Sequence, residues 1–239
     1  MSATTPVYGW PYQTRSDAPD GPLLGANLAL AVEATLRGVD LRTATLERSI
    51  PRTVADAAAR NAIATPPPGL IVYRLDVGIT EIYTGTVWKP TPGTLIGHFI
   101  ASIAQSIPNN AVTVAALDGA DVVDIYGAHD SVVNNSRFVA PFDGKFVFSG
   151  GSGSVGNATG VRSILWTKNG VANVVAGGQS QWSVGGAATP HSVPARTISV
   201  PMVAGDFVEL ALFQNSGGAL NTNLGNGDAP YMLVTYGGG

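Results

Sequence analysis

The chain has 239 residues, no cysteine, 12% charged residues, 30 Gly and 16 Pro. Without cysteine there are no disulfides and no thiolate metal sites, and a formal net charge of -3 argues against nucleic acid as a partner, since a phosphate backbone needs a basic face. The low charge and many turn formers point to a mainly β chain with a large buried subunit interface, and away from a helical enzyme.

Met1 to Pro6 has neither the basic nor the apolar region of a signal peptide. The longest uncharged stretch, Pro90 to Leu117, is broken by Pro92, His98, Pro108 and Asn109, so no membrane insertion is expected. Residues 1–22 read as an extended arm. In it Tyr8, Trp10 and Tyr12 crowd three aromatics onto a segment too short to bury them. Either the arm folds back on its own chain, or these three rings anchor it on another protein.

Asp20-Gly21-Pro22 starts a helix expected over about 22–37. Leu24, Leu28, Val32 and Leu36 fall every four residues on one face, and Gly38 is read as its end. Four turns are marginal alone in water, so the helix packs either on its own domain or in a parallel three-helix bundle. A second helix is expected over 53–64, with Thr53 as N-cap and Pro66-Pro67-Pro68-Gly69 as its stop. A β-hairpin follows within 70–88. Lys89-Pro90-Thr91-Pro92-Gly93 reads as the linker that divides an N-terminal segment, 1–93, from a domain over 94–239.

From Thr94 onward, short apolar strands alternate with Gly, Asn and Asp turns at sandwich or barrel spacing. Asn169-Gly170, between 162–167 and 171–175, is a strong hairpin signal. Over 206–214, Val208, Leu210 and Leu212 alternate with Phe207, Glu209, Ala211 and Phe213. One face is expected to fill a core and the other to meet a neighbouring subunit.

Motifs that suggest chemistry are weak. Gly151-Ser152-Gly153-Ser154-Val155-Gly156 matches G-x-G-x-x-G, but a strand follows where a dinucleotide site needs a helix and an acidic residue; the stretch reads as an inter-strand loop. Asp118, Asp121, Asp124 and Asp130 form the densest carboxylate cluster, without EF-hand spacing, and read as solvated loop charge. His98, His129 and His191 have no metal-site spacing, and no G-x-S-x-G elbow exists. No catalytic, metal or cofactor residue is assigned, and no cofactor is expected.

Ala140-Pro141-Phe142-Asp143-Gly144-Lys145-Phe146-Val147-Phe148, the Asn169-Gly170 hairpin, Ala204-Gly205-Asp206-Phe207-Val208-Glu209-Leu210 and the final strand from Ala229 to Val234 together resemble C1q/TNF-like jelly rolls. Tyr8 to Tyr12, Asp17 to Pro22, and the hairpin unit from Arg60-Asn61 to Trp88, with its Gly69-x-x-Val72-Tyr73 … Tyr83-x-Gly85-x-x-Trp88 pattern, are similar to attachment segments of bacteriophage minor tail and fibre proteins. The resemblance implies a trimeric C-terminal jelly-roll sandwich preceded by an arm, short α-helices and a β-hairpin. It further implies a non-enzymatic homotrimer of the virion, a minor tail or fibre-like protein assembled in the bacterial host cytoplasm. The trimer helix would use Leu24, Leu28, Val32 and Leu36, and the N-terminal segment would dock on other virion proteins. Host-surface glycans would meet the loops near 150–160 and 215–228, with Gly151, Ser152, Asn157, Asn215, Asn221 and Asn223 as contact residues. The alternatives are a head fibre or capsid decoration protein, and a polysaccharide-cleaving spike.

Overall fold

The computed structural model describes residues 3–4, 11–12, 21–186 and 189–239. Tyr8 and Trp10 lie outside the described residues. Tyr12 is described only through its backbone, in β2 (Pro11–Tyr12), which pairs antiparallel with β1 (Ala3–Thr4).

Helix α1 spans Gly21–Ser49, well past the end expected at 37. At 1.5 Å per residue it is about 43 Å long. Gly38 lies inside it. A mid-helix glycine costs about 1 kcal/mol relative to alanine but keeps its hydrogen bond, and Leu41 to Arg48 continue with mostly good helix formers. Pro51 is the real stop, because proline pushes the preceding residue out of helical geometry. Of the four stripe residues, Leu28 and Leu36 are exposed, Val32 is half-buried, and the side chain of Leu24 lies outside the described residues.

The second helix is also displaced. Arg52–Val54 is strand β3, parallel to β4 (Ile71–Arg74), and α2 is only Ala57–Asn61. Asp56 is its N-cap instead of Thr53, accepting the Ala59 N–H at 2.8 Å. β-Branched Thr53 and Val54 gain more from pairing with β4 than from a first helical turn. β5 (Ile79–Tyr83) and β6 (Trp88–Pro90) complete a four-stranded sheet in the order β3-β4-β5-β6. Leu70, Val72 and Trp88 form its small core, with Val54, Ile63 and Tyr83 packed against them. Lys89 and Pro90 therefore belong to a strand, and the Gly93 N–H donates to the Tyr236 carbonyl at 2.7 Å.

From Leu95 on the fold is an antiparallel two-sheet jelly-roll sandwich. One sheet runs β10 (Val123–Asp124), β7 (Leu95–Ile100), β18 (Tyr231–Gly238), β12 (Gly144–Ser154), β17 (Leu220–Asn223), β8 (Ser106–Ile107). β15 (His191–Met202) pairs with the other edge of β12, from Gly144↔Met202 to Ser154↔His191. The facing sheet runs β11 (Arg137–Val139), β16 (Phe207–Gln214), β13 (Val161–Lys168), β14 (Val174–Ser183), and β9 (Thr113–Val114) also pairs with β16.

Period-two alternation aims one side chain in two at the space between the sheets. Phe146 and Phe148 of β12, Ile164 and Trp166 of β13, Val208, Leu210 and Leu212 of β16, and Met232, Val234 and Tyr236 of β18 meet there in one core with Phe99, Phe138 and Phe142. Each buried Phe contributes about 1.5–3 kcal/mol. The indole N–H of Trp166 donates to the Arg196 carbonyl at 2.6 Å, so its one polar atom is satisfied inside the core.

The opposite face of β16 is covered in part by the chain itself. Glu209 and Ala211 are buried within the chain itself. Ser136 Oγ donates to Glu209 at 2.7 Å, Arg137 Nε lies 3.2 Å from the same carboxylate, and the Arg137 guanidinium sits 4.0 Å over the Phe207 ring. Phe207 and Phe213 of the same face stay half-buried. Leu28, Leu30 and Leu36 of α1 are exposed large apolar side chains.

Candidate functional site

The two ends of the sandwich do different work. At one end β12 begins beside the small N-terminal sheet. Lys89 Nζ donates to the Asp143 carbonyl at 2.6 Å and lies 5.8 Å from the centre of the Phe142 ring. Glu81 of β5, fully buried, takes three partners on one oxygen. The Tyr126 hydroxyl donates to it at 2.7 Å, the Arg60 guanidinium pairs with it, and Arg74 Nη1 lies 3.7 Å away. Arg74 also grips Asp76 with two bonds, 3.1 and 2.6 Å, a two-pronged pairing that only a guanidinium makes well. Burial, together with the neighbouring Glu81 carboxylate, pushes the Tyr126 hydroxyl far above its usual range. Tyr126 therefore acts as a fixed donor that ties the sandwich to the small sheet.

The same end carries two of the motifs behind the jelly-roll resemblance. Asn169 and Gly170 both have positive φ, 56° and 116°, as a tight hairpin turn demands. Asn169 donates to Asp206 at 2.8 Å and accepts the Phe207 N–H at 2.9 Å. Asp206 also takes the Val203 N–H at 3.0 Å and pairs with Lys168 at 2.7 Å. Bonds from Lys168, then Asn169, then Val203 hold the Asp206 carboxyl down at about 2.

β12 then runs through the sandwich to Ser154, about 30 Å away at strand rise. Its far end is Gly-rich, and Gly151, Ser152 and Gly153 are buried strand residues. They are not the loop expected from the sequence, so Gly151 and Ser152 present no side chain to a receptor. A Cβ on Gly150 would overlap the Tyr231 carbonyl oxygen, and one on Gly153 would press on Asp228. The glycines are there for close approach of the neighbouring chain, strand β18 at Gly150 and the Asp228 loop at Gly153.

The loop proper covers 155–160 and meets the turn at 215–219. Asn157 Oδ1 accepts both the N–H and hydroxyl of Thr159, at 2.9 and 2.8 Å. Thr159 Oγ1 donates to the Ser216 carbonyl at 2.9 Å, and Asn215 Oδ1 takes the Val161 N–H at 2.6 Å. Asn157 and Asn215 thus come together, but as turn locks. Asn221 is an exposed strand residue of β17, and Asn223 donates to Asp228 at 3.1 Å. At this end of the sandwich lies a cavity of about 30 Å³ lined by residues of β12, β13, β15, β16 and β17, among them Ser154, Arg162, Gln214 and Thr222.

Solved structures similar to this chain include the crystal structure of murine APRIL at pH 5.0, with 10% identity, TM-score 0.45, and 59% of this chain and 98% of the other covered. The Eiger TNF of S. frugiperda is similar at 11% identity and TM-score 0.44, covering 59% of this chain and 92% of its own. No protein-family model matches the sequence, and no curated protein matches it. The jelly-roll reading stands on the strand pairing and core of this chain.

The aspartate cluster is engaged in local bonding. Asp118 accepts the Ser102 and Ile103 N–H groups at 2.7 and 3.2 Å, Asp124 those of Ala128 and His129 at 2.9 and 3.1 Å, and Asp130 those of Val132 and Val133 at 2.8 and 2.9 Å. The two N–H bonds hold the Asp130 carboxyl below its usual range. Asp121 Oδ1 lies 2.8 Å from His129 Nδ1, and the His129 ring stacks on Phe99 at 4.4 Å. Among the described residues no group of three His, Cys, Asp or Glu could hold a metal ion. His98 lies in β7 opposite Leu233 and Val123.

Proposed function

We propose that the chain is a self-associating structural protein, three copies joined through α1, with the jelly roll as a displayed head. The observation that carries this reading is α1 itself. A helix with glycines at 25 and 38 that leaves Leu28, Leu30, Leu36 and Val39 exposed lacks the tertiary packing that supplies most of a helix's stability. Val32, Val39 and Leu46 recur every seven residues, the spacing of a coiled-coil seam, with Leu28 beside it. Packing against copies of itself removes those side chains from water.

The setting we propose is a bacteriophage particle, as a minor tail or fibre-like protein without enzymatic activity. Support comes from the likeness of the N-terminal segment to phage attachment segments. The arm with Tyr8, Trp10 and Tyr12 would join other virion proteins, and the end of the sandwich remote from the small sheet would face the host surface. Imaging of labelled particles, with a Trp10→Ala/Tyr12→Ala variant alongside, tests this. The wild type is expected at the tail and the variant is expected to assemble with itself yet fail to join particles. Equal incorporation of both would overturn the anchoring role, and label on the capsid would favour a decoration protein.

A further inference from the structure

Arg162 is the buried cation that the fold does not explain. It sits on β13 in phase with Ile164 and Trp166, so it points between the sheets, and only 4% of it is exposed. The other well-buried arginines have acids beside them: Arg60 and Arg74 share Glu81, and Arg74 also holds Asp76. Among the described residues Arg162 forms no ion pair. Its Nη1 donates to the Thr159 and Val161 carbonyls, both at 3.0 Å, and Nη2 reaches the Asn157 carbonyl only at 3.4 Å. Nε has no partner.

The pattern of unused donors is specific. The Nη1 bonds are spent on backbone, which leaves the Nε and Nη2 edge, one free and one weakly bonded. That edge of a guanidinium presents two parallel N–H groups, the spacing that matches a carboxylate. Ser154 Oγ, on the β12 wall of the same cavity, is buried and also without a partner. A buried positive charge with an orphaned donor is costly unless an anion completes it, and burial already pushes the Arg162 guanidinium below its usual range.

We infer that the cavity at this end of the sandwich is a binding site for one carboxylate group, held by the Nε/Nη2 edge of Arg162 and the Ser154 hydroxyl. The volume sets the size. About 30 Å³ holds roughly two water-sized atoms, the two oxygens of a carboxylate. The body of the ligand must stay outside the cavity. Apolar walls from Ile107, Leu212 and Leu220 keep the local dielectric low and strengthen the pairing. The carboxylate can belong to a small free acid or to an acidic sugar of a surface polymer. The second source rests on the host-facing role proposed above; the site chemistry does not.

The test uses the full-length protein and 13C-labelled acetate, followed by NMR line width, with sodium chloride at matched ionic strength as control. Acetate should bind saturably, Arg162→Gln should weaken it at least tenfold, and Ser154→Ala should weaken it several-fold while the β-rich circular dichroism stays unchanged. If Arg162→Gln fails to fold, Ser154→Ala decides alone. No saturable binding to the wild type, or binding unaffected by Ser154→Ala and by a folded Arg162→Gln, overturns the site. Glucuronic acid is the second probe. If it displaces acetate and glucose does not, the acidic-sugar source is supported. If acetate binds and glucuronic acid does not displace it, the carboxylate site stands and the sugar source is refuted.

Discussion

Replacing Glu81 by Gln keeps the shape of the side chain and removes its charge. Glu81 is fully buried, and Arg60, Arg74 and Tyr126 converge on its Oε1 atom. Removing one partner of a buried ion pair costs about 3–5 kcal/mol. Two features pull the expectation to the lower end of that range: the Gln carbonyl still accepts the Tyr126 hydroxyl, and Arg74 keeps both bonds to Asp76. Tyr126→Phe removes a single hydrogen bond to a charged acceptor, about 1.5–3 kcal/mol. Urea unfolding followed by tryptophan fluorescence reads both units, because Trp88 lies in the small sheet and Trp166 in the sandwich core. Both substitutions should lower the midpoint of one common transition, and the double variant should lose less than the sum, since the residues share one bond. A Glu81→Gln midpoint within error of wild type, or strictly additive losses, would refute the claim that this cluster joins the two units.

Three further outcomes follow from the same geometry. Asp206 has a folded pKa of about 2, below the ordinary aspartate value of 3.8, so its stabilisation is complete above pH 4 and lost as pH falls toward 2; thermal melts should show Asp206→Asn losing less stability than wild type across that interval. Gly150→Ala drives a methyl group into the Tyr231 carbonyl of the neighbouring strand, and the midpoint of unfolding should fall by about 1–3 kcal/mol, whereas an unchanged midpoint would mean the strands can part at no cost. A fragment of residues 94–239 should be soluble and β-rich by circular dichroism yet unfold at lower urea than the whole chain, because Tyr126 loses Glu81 and Val87 leaves the core it packs against; an aggregated fragment would place the boundary elsewhere.

Much of the sandwich can be read from the chain because its signals are local. Asn169-Gly170 needs positive φ at two consecutive residues, and Phe146, Phe148, Val208 and Leu210 alternate as a half-buried strand must. The errors arise where one residue type serves two purposes. Glycine at 151 and 153 reads as loop but is there for close approach of the neighbouring chain, and Gly38 reads as a helix end but is merely tolerated. Thr53 reads as an N-cap until a parallel partner strand, distant in sequence, claims it. Arg162 was legible in part: with Ile164 and Trp166 at i+2 and i+4, period two places it on the core face. What no local pattern reveals is that its neighbours there bring no acid. The Glu81 cluster is hidden for the same reason, since its members are spread from Arg60 to Tyr126.

In the assembly we propose, α1 is stable only when several copies pack together. Light scattering on the purified full-length chain at micromolar concentration tests it most directly. The expected mass is about three times the 24.5 kDa of one chain, with helical circular dichroism that falls on dilution. A monomer of 24.5 kDa that keeps its helical signal would contradict the account.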